Sequence, residues 1–305
     1  MDPIPEYSAG AVNINNSESM DPMAFDLLFK QSVPHILEKI FFSLDFESFL
    51  NSMDVSRSWR KILTSERFLL VAMSVFGEEV EREFWKASKE GHLNNIKNIL
   101  SNFVLDINYV GDEQKGTALS AASSGGHKCV VHFLLDKGAN PNKADEDDGW
   151  TPLLWAAYHG NREVASILLG KGADPTMRIR NGSTALHFAA KFNHKEVVDV
   201  LLGAGVNPNT RGSWKGRTAL HLAAQDGHAD MVQLLIDRGA DPNIANENGH
   251  TALHDAAEFR RGGVVQLLLQ RGVDPKALTN NGDTPLYLAT IQSFNEDVVK
   301  ILSKY

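Results

Sequence analysis

The sequence predicts an all-α chain, a short N-terminal helical module followed by a repeat solenoid. Two observations carry that reading. The stretch TALHLAAQDGHADMVQLLIDRGADPN at 218–243 is the clearest copy of a unit that recurs to the end of the chain. Its anchor threonines, Thr117, Thr151, Thr184, Thr218, Thr251 and Thr284, are spaced 34, 33, 34, 33 and 33 residues apart. The second observation is a change of character between about residues 27 and 65, where three short apolar sets follow one another at helical spacing.

The repeat unit can be derived from its residues. Thr218 stands before an apolar run, where its hydroxyl can cap a helix start. Leu220, Leu222, Ala223 and Ala224 make a short helix whose small residues let the next copy approach closely. Asp226-Gly227-His228 breaks it. Met231, Val232, Leu234, Leu235 and Ile236 form a second helix, ended by Arg238-Gly239 with the glycine suited to a left-handed position. Ala240-Asp241-Pro242-Asn243 turns outward. One such unit cannot bury its own apolar face, whereas stacked units can. A period near 33 with a Thr-Pro-Leu-His-x-Ala core resembles the ankyrin repeat. The resemblance implies an ankyrin-repeat α-solenoid with hairpin-like fingers over 81–305, about seven repeats with the first degenerate. That first copy, around Phe84 to His92, lacks the threonine but keeps Ala87 and Gly91-His92.

Taken in order, residues 1–26 are polar, with three prolines and no sustained apolar period, and read as a flexible tail. In the next segment Pro34 suits a first helical turn, and Ile36, Leu37, Ile40, Phe41 and Leu44 follow on one face. Phe46, Phe49 and Leu50 form a second set, and Val55, Trp59, Ile62 and Leu63 a third. Three short helices cannot bury all of these among themselves, and exposed apolar surface marks a partner site. The segment 27–65 resembles a three-helix F-box: Pro34, Ile36, Leu37, Ile40, Phe41, Leu44, Leu50, Val55, Trp59 and Arg60 match its pattern, while Val33 and Ser56 replace the usual leucine and cysteine. The other reading of 33–65 is a helical cap on the first repeat. Residues 66–80, with Phe68, Leu69, Leu70, Val71, Val75 and Phe76, are expected to form a linker helix that joins the modules rigidly.

Composition narrows the function classes. The 305 residues are 43 % hydrophobic and 22 % charged, with a net charge of −8. The acidic balance argues against nucleic acid as partner. There is no run of 18 apolar residues and hence no expected membrane span, and the N-terminus lacks the basic start and apolar core of a secretory signal. Twelve acids and six bases fall in residues 1–80, about −6 of the total. The single cysteine, Cys129, sits among Val130, Val131 and Phe133 and is expected to be a buried, inert thiol, which fits a cytoplasmic or nuclear protein. The sequence offers no catalytic motif, no cofactor loop and no His, Cys, Asp and Glu set at metal-ligand spacing. His187, His221 and His254, and the turn histidines His92, His127, His194 and His228, are expected to be structural.

The ankyrin resemblance implies a binding face on the fingers and the outer half of each first helix. Its candidate target-binding residues are Trp150, Tyr158, Arg178, Arg180, Lys191, Phe192, Trp214, Lys215, Arg217 and Phe259, a basic neighbourhood flanked by exposed aromatics. Such a patch suits an acidic or phosphorylated segment of a partner protein. The alternative is that these charges only solvate the surface. The F-box resemblance implies that Pro34, Leu37, Ile40, Val55 and Trp59 face a Skp-type adapter, which bridges to a cullin complex. Together the two resemblances imply a non-catalytic target receptor of a Skp–cullin–F-box ubiquitin ligase, the alternative being an ankyrin scaffold or inhibitor.

Overall fold

The structure is a computed structural model describing residues 66–110, 116–212, 214–291 and 296–305, with side chains from Gly77 onward, that of Trp214 excepted. The chain divides into two compact units, 1–77 and 78–305. The expected tail and three-helix module, and with them Pro34, Leu37, Ile40, Val55 and Trp59, lie outside the described residues.

The described residues form helices in pairs and no strand. Helices α1 (Glu66–Glu90) and α2 (Leu93–Asn102) come first. They are followed by α3 (Ala118–Ser124) and α4 (Lys128–Asp136), α5 (Pro152–His159) and α6 (Arg162–Gly170), α7 (Ala185–Lys191) and α8 (Lys195–Gly203). Then come α9 (Ala219–Asp226) and α10 (Ala229–Asp237), α11 (Ala252–Glu258) and α12 (Gly262–Gln270), and α13 (Pro285–Ile291) and α14 (Glu296–Leu302). First helices pack in series from α3 to α13; second helices pack as α4–α6–α8 and α10–α12–α14.

The pattern of small and branched residues sets this stacking. Ala122, Ala156, Ala157, Ala189, Ala190, Ala223, Ala224, Ala256 and Ala257 are closed from solvent, so first helices approach almost backbone to backbone. Leu134, Leu168, Leu201, Leu235 and Leu268, all 0 % exposed, fill the space between first and second helices, with Val131, Ala165, Val198, Val232 and Val265 beside them. Cys129 corrects the sequence expectation. It is exposed, because the inward positions of α4 belong to Val130, Val131 and Leu134 and leave Cys129 on the outer side of the helix.

The repeats are also tied through their polar groups. In α3 and α5 the threonine hydroxyl accepts the amide three residues on, Ser120 from Thr117 and Leu154 from Thr151. In α7, α9 and α11 the residue at that third position is a histidine, whose ring reaches back to complete a capping box. The Nδ1 of His187, His221 and His254 accepts the amide of Thr184, Thr218 and Thr251 at 3.2 Å, with the hydroxyl at 2.8–2.9 Å. The opposite ring nitrogen bonds a carbonyl of the next finger: Arg217, His250 and, for His254, Ala277 and Asp283. Of the turn histidines, His127, His194 and His228 bond the carbonyls of Lys89, Tyr158 and Lys191 in the preceding repeat. His92 differs from expectation: its side chain is 56 % exposed and faces Glu90 at 3.2 Å.

The fingers are held in register by backbone bonds, Arg180 N to Asp148 O, Glu247 N to Lys215 O and Asn280 N to Asn248 O. Hairpin geometry survives as one antiparallel bridge, Gly212 with Arg217. Gly212 has no room for a side chain, since a Cβ there would meet the Gly182 carbonyl and the His187 ring.

Candidate binding face

Four positions of each repeat line the side where finger and first helix meet: the residue before the threonine, and the fourth, seventh and eighth after it. A helix brings positions three and four apart onto one face, and the finger residue abuts them. The four residues are Trp150, Trp155, Tyr158 and His159 in one repeat and Ser183, Phe188, Lys191 and Phe192 in the next. Arg217, Leu222, Gln225 and Asp226 follow, then His250, Asp255, Glu258 and Phe259. One scaffold register thus carries two chemistries, aromatic in the Thr151 and Thr184 repeats and ionic in the Thr218 and Thr251 repeats.

The aromatic half is a continuous stack. Trp150 lies between Trp155 and Phe188, with ring centroids 4.5 and 4.7 Å away. Tyr158 meets Trp150 edge-on at 5.6 Å and Phe192 at 4.6 Å. Such pairs contribute about 0.5–1.5 kcal/mol each beyond their burial. Burial first and His194 second hold His159 below the ordinary histidine value, which keeps its ring neutral beside Trp155 and Tyr158. The expected grouping of Trp150, Tyr158 and Phe192 is present, with one correction. Trp150 is half-buried rather than exposed, because Trp155 and Phe188 sandwich it. Those two rings were not among the sequence candidates. Phe192 and Phe259 are exposed on this face.

The expected basic residues separate. Arg178 and Arg180 are exposed on one finger and Lys215 on the next, where Arg178 donates to the Arg211 carbonyl at 2.7 Å. Lys191 is exposed, with its ammonium 5.7 Å from the Phe192 ring. Arg217 is the second correction. It is half-buried, donates to Gln225 Oε1 at 2.5 Å and pairs with Asp255 Oδ1 at 3.3 Å, and Asp255 is 0 % exposed. This guanidinium is committed to joining two repeats. Lys191, Phe188, Leu222, Gln225, Asp226 and Arg217 line an open cleft between the Thr184 and Thr218 repeats. The Trp214 side chain lies outside the described residues.

Beyond Arg217 the face holds a further cluster, in which Asp255 joins His250 and Glu258. His250 Nδ1 lies 3.6 Å from Asp255 Oδ1 and 3.8 Å from Glu258 Oε2. The three residues come together because 255 and 258 are one turn apart on α11 and 250 precedes its cap, a spacing that has meaning only once the repeat register is known.

This geometry meets the comparisons with known proteins. A family model described as ankyrin repeats (3 copies) matches four overlapping ranges, 84–179, 147–211, 176–246 and 243–305, which together span 84–305. The chain belongs to the ankyrin-repeat family. An F-box domain model matches residues 33–70, so an F-box precedes the ankyrin array in the same chain. The ankyrin repeat and SAM domain-containing protein 6 of Rattus norvegicus is 39 % identical over 109 residues, which is 35 % of this chain and 12 % of that protein. Among solved structures, the ankyrin repeat domain of Bcl-3, a member of the IkappaB protein family, is 28 % identical with a TM-score of 0.62, covering 72 % of this chain and 97 % of that one. The human ASB11 ankyrin repeat domain is 27 % identical with a TM-score of 0.64, covering 72 % and 96 %. The modules are those of an adaptor-type, protein-binding chain.

Proposed function

We propose that the chain is the target-recognition subunit of a Skp–cullin–F-box ubiquitin ligase, acting in the cytoplasm or nucleus. The observation that carries this reading is the pairing of an F-box at 33–70 with an ankyrin array over 84–305 in one polypeptide. On this reading Pro34, Leu37, Ile40, Val55 and Trp59 contact the Skp-type adapter, which joins the cullin complex, and the ankyrin face holds the target. The chain contributes no catalytic residue. It raises the effective concentration of target lysines near the charged conjugating enzyme.

The target face centres on Tyr158, Lys191 and Phe192, with Trp150 as a stacked support and Phe259 two repeats on. Exposed Arg178, Arg180 and Lys215 on the fingers suit an acidic or phosphorylated segment lying across them. Arg217 is left out of this set because its charge is already paired with Asp255.

The adapter half is tested with purified full chain and a Skp-type adapter. Wild type is expected to co-elute with the adapter and Leu37→Ala to lose it, since a truncated anchor residue in an interface core costs about 2 kcal/mol or more. Absence of wild-type binding would leave an ankyrin scaffold whose N-terminal segment serves another purpose.

A further inference from the structure

We propose that His250, Asp255 and Glu258 form a binding site for one divalent transition-metal ion of the zinc class on the ankyrin face. One nitrogen and two carboxylates converge here, and one ligand atom from each lies within 4.8 Å of the others. Four-coordinate zinc, with bonds of about 2.0–2.2 Å, places its ligand atoms roughly 3.3–3.5 Å apart. The two distances from His250 Nδ1, 3.6 and 3.8 Å, lie close to that spacing, and the remaining pair lies within 4.8 Å.

The independent observation is that the cluster does not satisfy itself. His250 Nδ1 and Asp255 Oδ2 are both closed from solvent without a hydrogen-bond partner, although Asp255 is 0 % exposed. Unpaired buried polar atoms are costly, and a fully buried carboxylate most of all. Arg217 satisfies only Oδ1, at 3.3 Å. Two carboxylates, one imidazole and one guanidinium thus meet here, and one oxygen of the buried Asp255 carboxylate is left without a partner. A divalent ion held by His250 Nδ1 and the Asp255 and Glu258 carboxylates gives the nitrogen a partner and neutralises the buried carboxylate, and Arg217 then serves as the outer partner that fixes Asp255.

The donor set selects the ion. Imidazole with two carboxylates suits zinc-class metals, whereas magnesium demands an octahedron of oxygens. His250 and Glu258 side chains are 18 % and 31 % exposed, so a fourth coordination position opens on the binding face and is free for water or a donor atom of a bound protein. No other threonine-anchored repeat carries this donor set at the equivalent positions.

The test uses chelator-stripped full chain titrated calorimetrically with Zn²⁺ and, separately, Mg²⁺, with Co²⁺ absorption as an independent reading of coordination. Wild type is expected to bind one tight equivalent of Zn²⁺ and to ignore Mg²⁺. His250→Gln and Glu258→Gln are each expected to weaken that equivalent by about tenfold or more and to remove the Co²⁺ bands. Should His250→Gln fail to fold by circular dichroism, Glu258→Gln, which keeps its side-chain volume, carries the test alone. Identical titrations of wild type and Glu258→Gln, or no Zn²⁺ uptake by wild type, would overturn the site.

Discussion

Replacing Arg217 with methionine is expected to lower the unfolding free energy of the repeat array by about 3 kcal/mol. Methionine fills much of the same space, so packing loss is small. The cost comes from Asp255, whose 0 % exposed carboxylate loses the guanidinium 3.3 Å away. Gln225 loses its partner in the same step. Adding Asp255→Leu should recover most of the loss, because the equivalent position already carries Leu222 in the repeat before and Leu288 in the repeat after. Breaking a buried pair is costly while replacing both members by apolar groups is often neutral. Urea unfolding of the two variants measures this. A single variant within about 0.5 kcal/mol of wild type, the usual range for surface changes, would show the pair to be a surface ornament.

The second large effect is expected in acid. Burial lowers the pKa of His187 from 6.5 to about 4, and burial likewise lowers those of His221 and His254. Each ring is therefore neutral in the fold, with Nδ1 accepting from its threonine and the other nitrogen donating to the next finger. Protonation would set a second N–H against the threonine amide and undo the cap. A folded pKa below the unfolded one means that the stabilisation is full above pH 6.5 and is lost as pH falls from 6.5 toward 4. For His187 alone the loss is on the order of 3 kcal/mol over that window. Urea midpoints should hold steady above pH 7 and drop steeply toward pH 4.5. His187→Asn should be less stable at pH 7.5 and show a shallower drop. A wild-type midpoint unchanged between pH 7.5 and 4.5 would contradict the account.

Most of the repeat architecture is legible in the sequence because each unit repeats the same physical problem. The threonine marks the helix start, paired alanines mark close approach, and Leu-Leu marks the inner layer. The bracing histidines follow from the same register, and the last repeat shows the rule by exception: Tyr287 takes the histidine position and is exposed, with no described finger beyond it to hold. The binding face is less legible. A sequence shows that Arg217 and Trp150 occupy variable positions, but not that Arg217 reaches Asp255 in the next repeat, 38 residues on, or that Trp150 slides between Trp155 and Phe188. Exposure of a variable residue depends on its neighbours' size and charge, which sit one period away. Cys129 was misread for a related reason. Apolar neighbours in sequence do not fix which side of a two-turn helix a residue occupies, and Val130 and Val131 take the inner side.

The central claim is that one chain joins two separable partners, an adapter at its F-box and a target on its ankyrin face. The most direct measurement compares proteins co-purified quantitatively with wild type, with Leu37→Ala, and with Tyr158→Ala combined with Phe192→Ala, each variant first shown to fold. The account predicts that Leu37→Ala loses the Skp-type adapter and cullin but keeps the face-bound partner. The aromatic double variant should lose that partner and keep adapter and cullin. Loss of the same proteins from both variants, or no adapter with wild type, would contradict it.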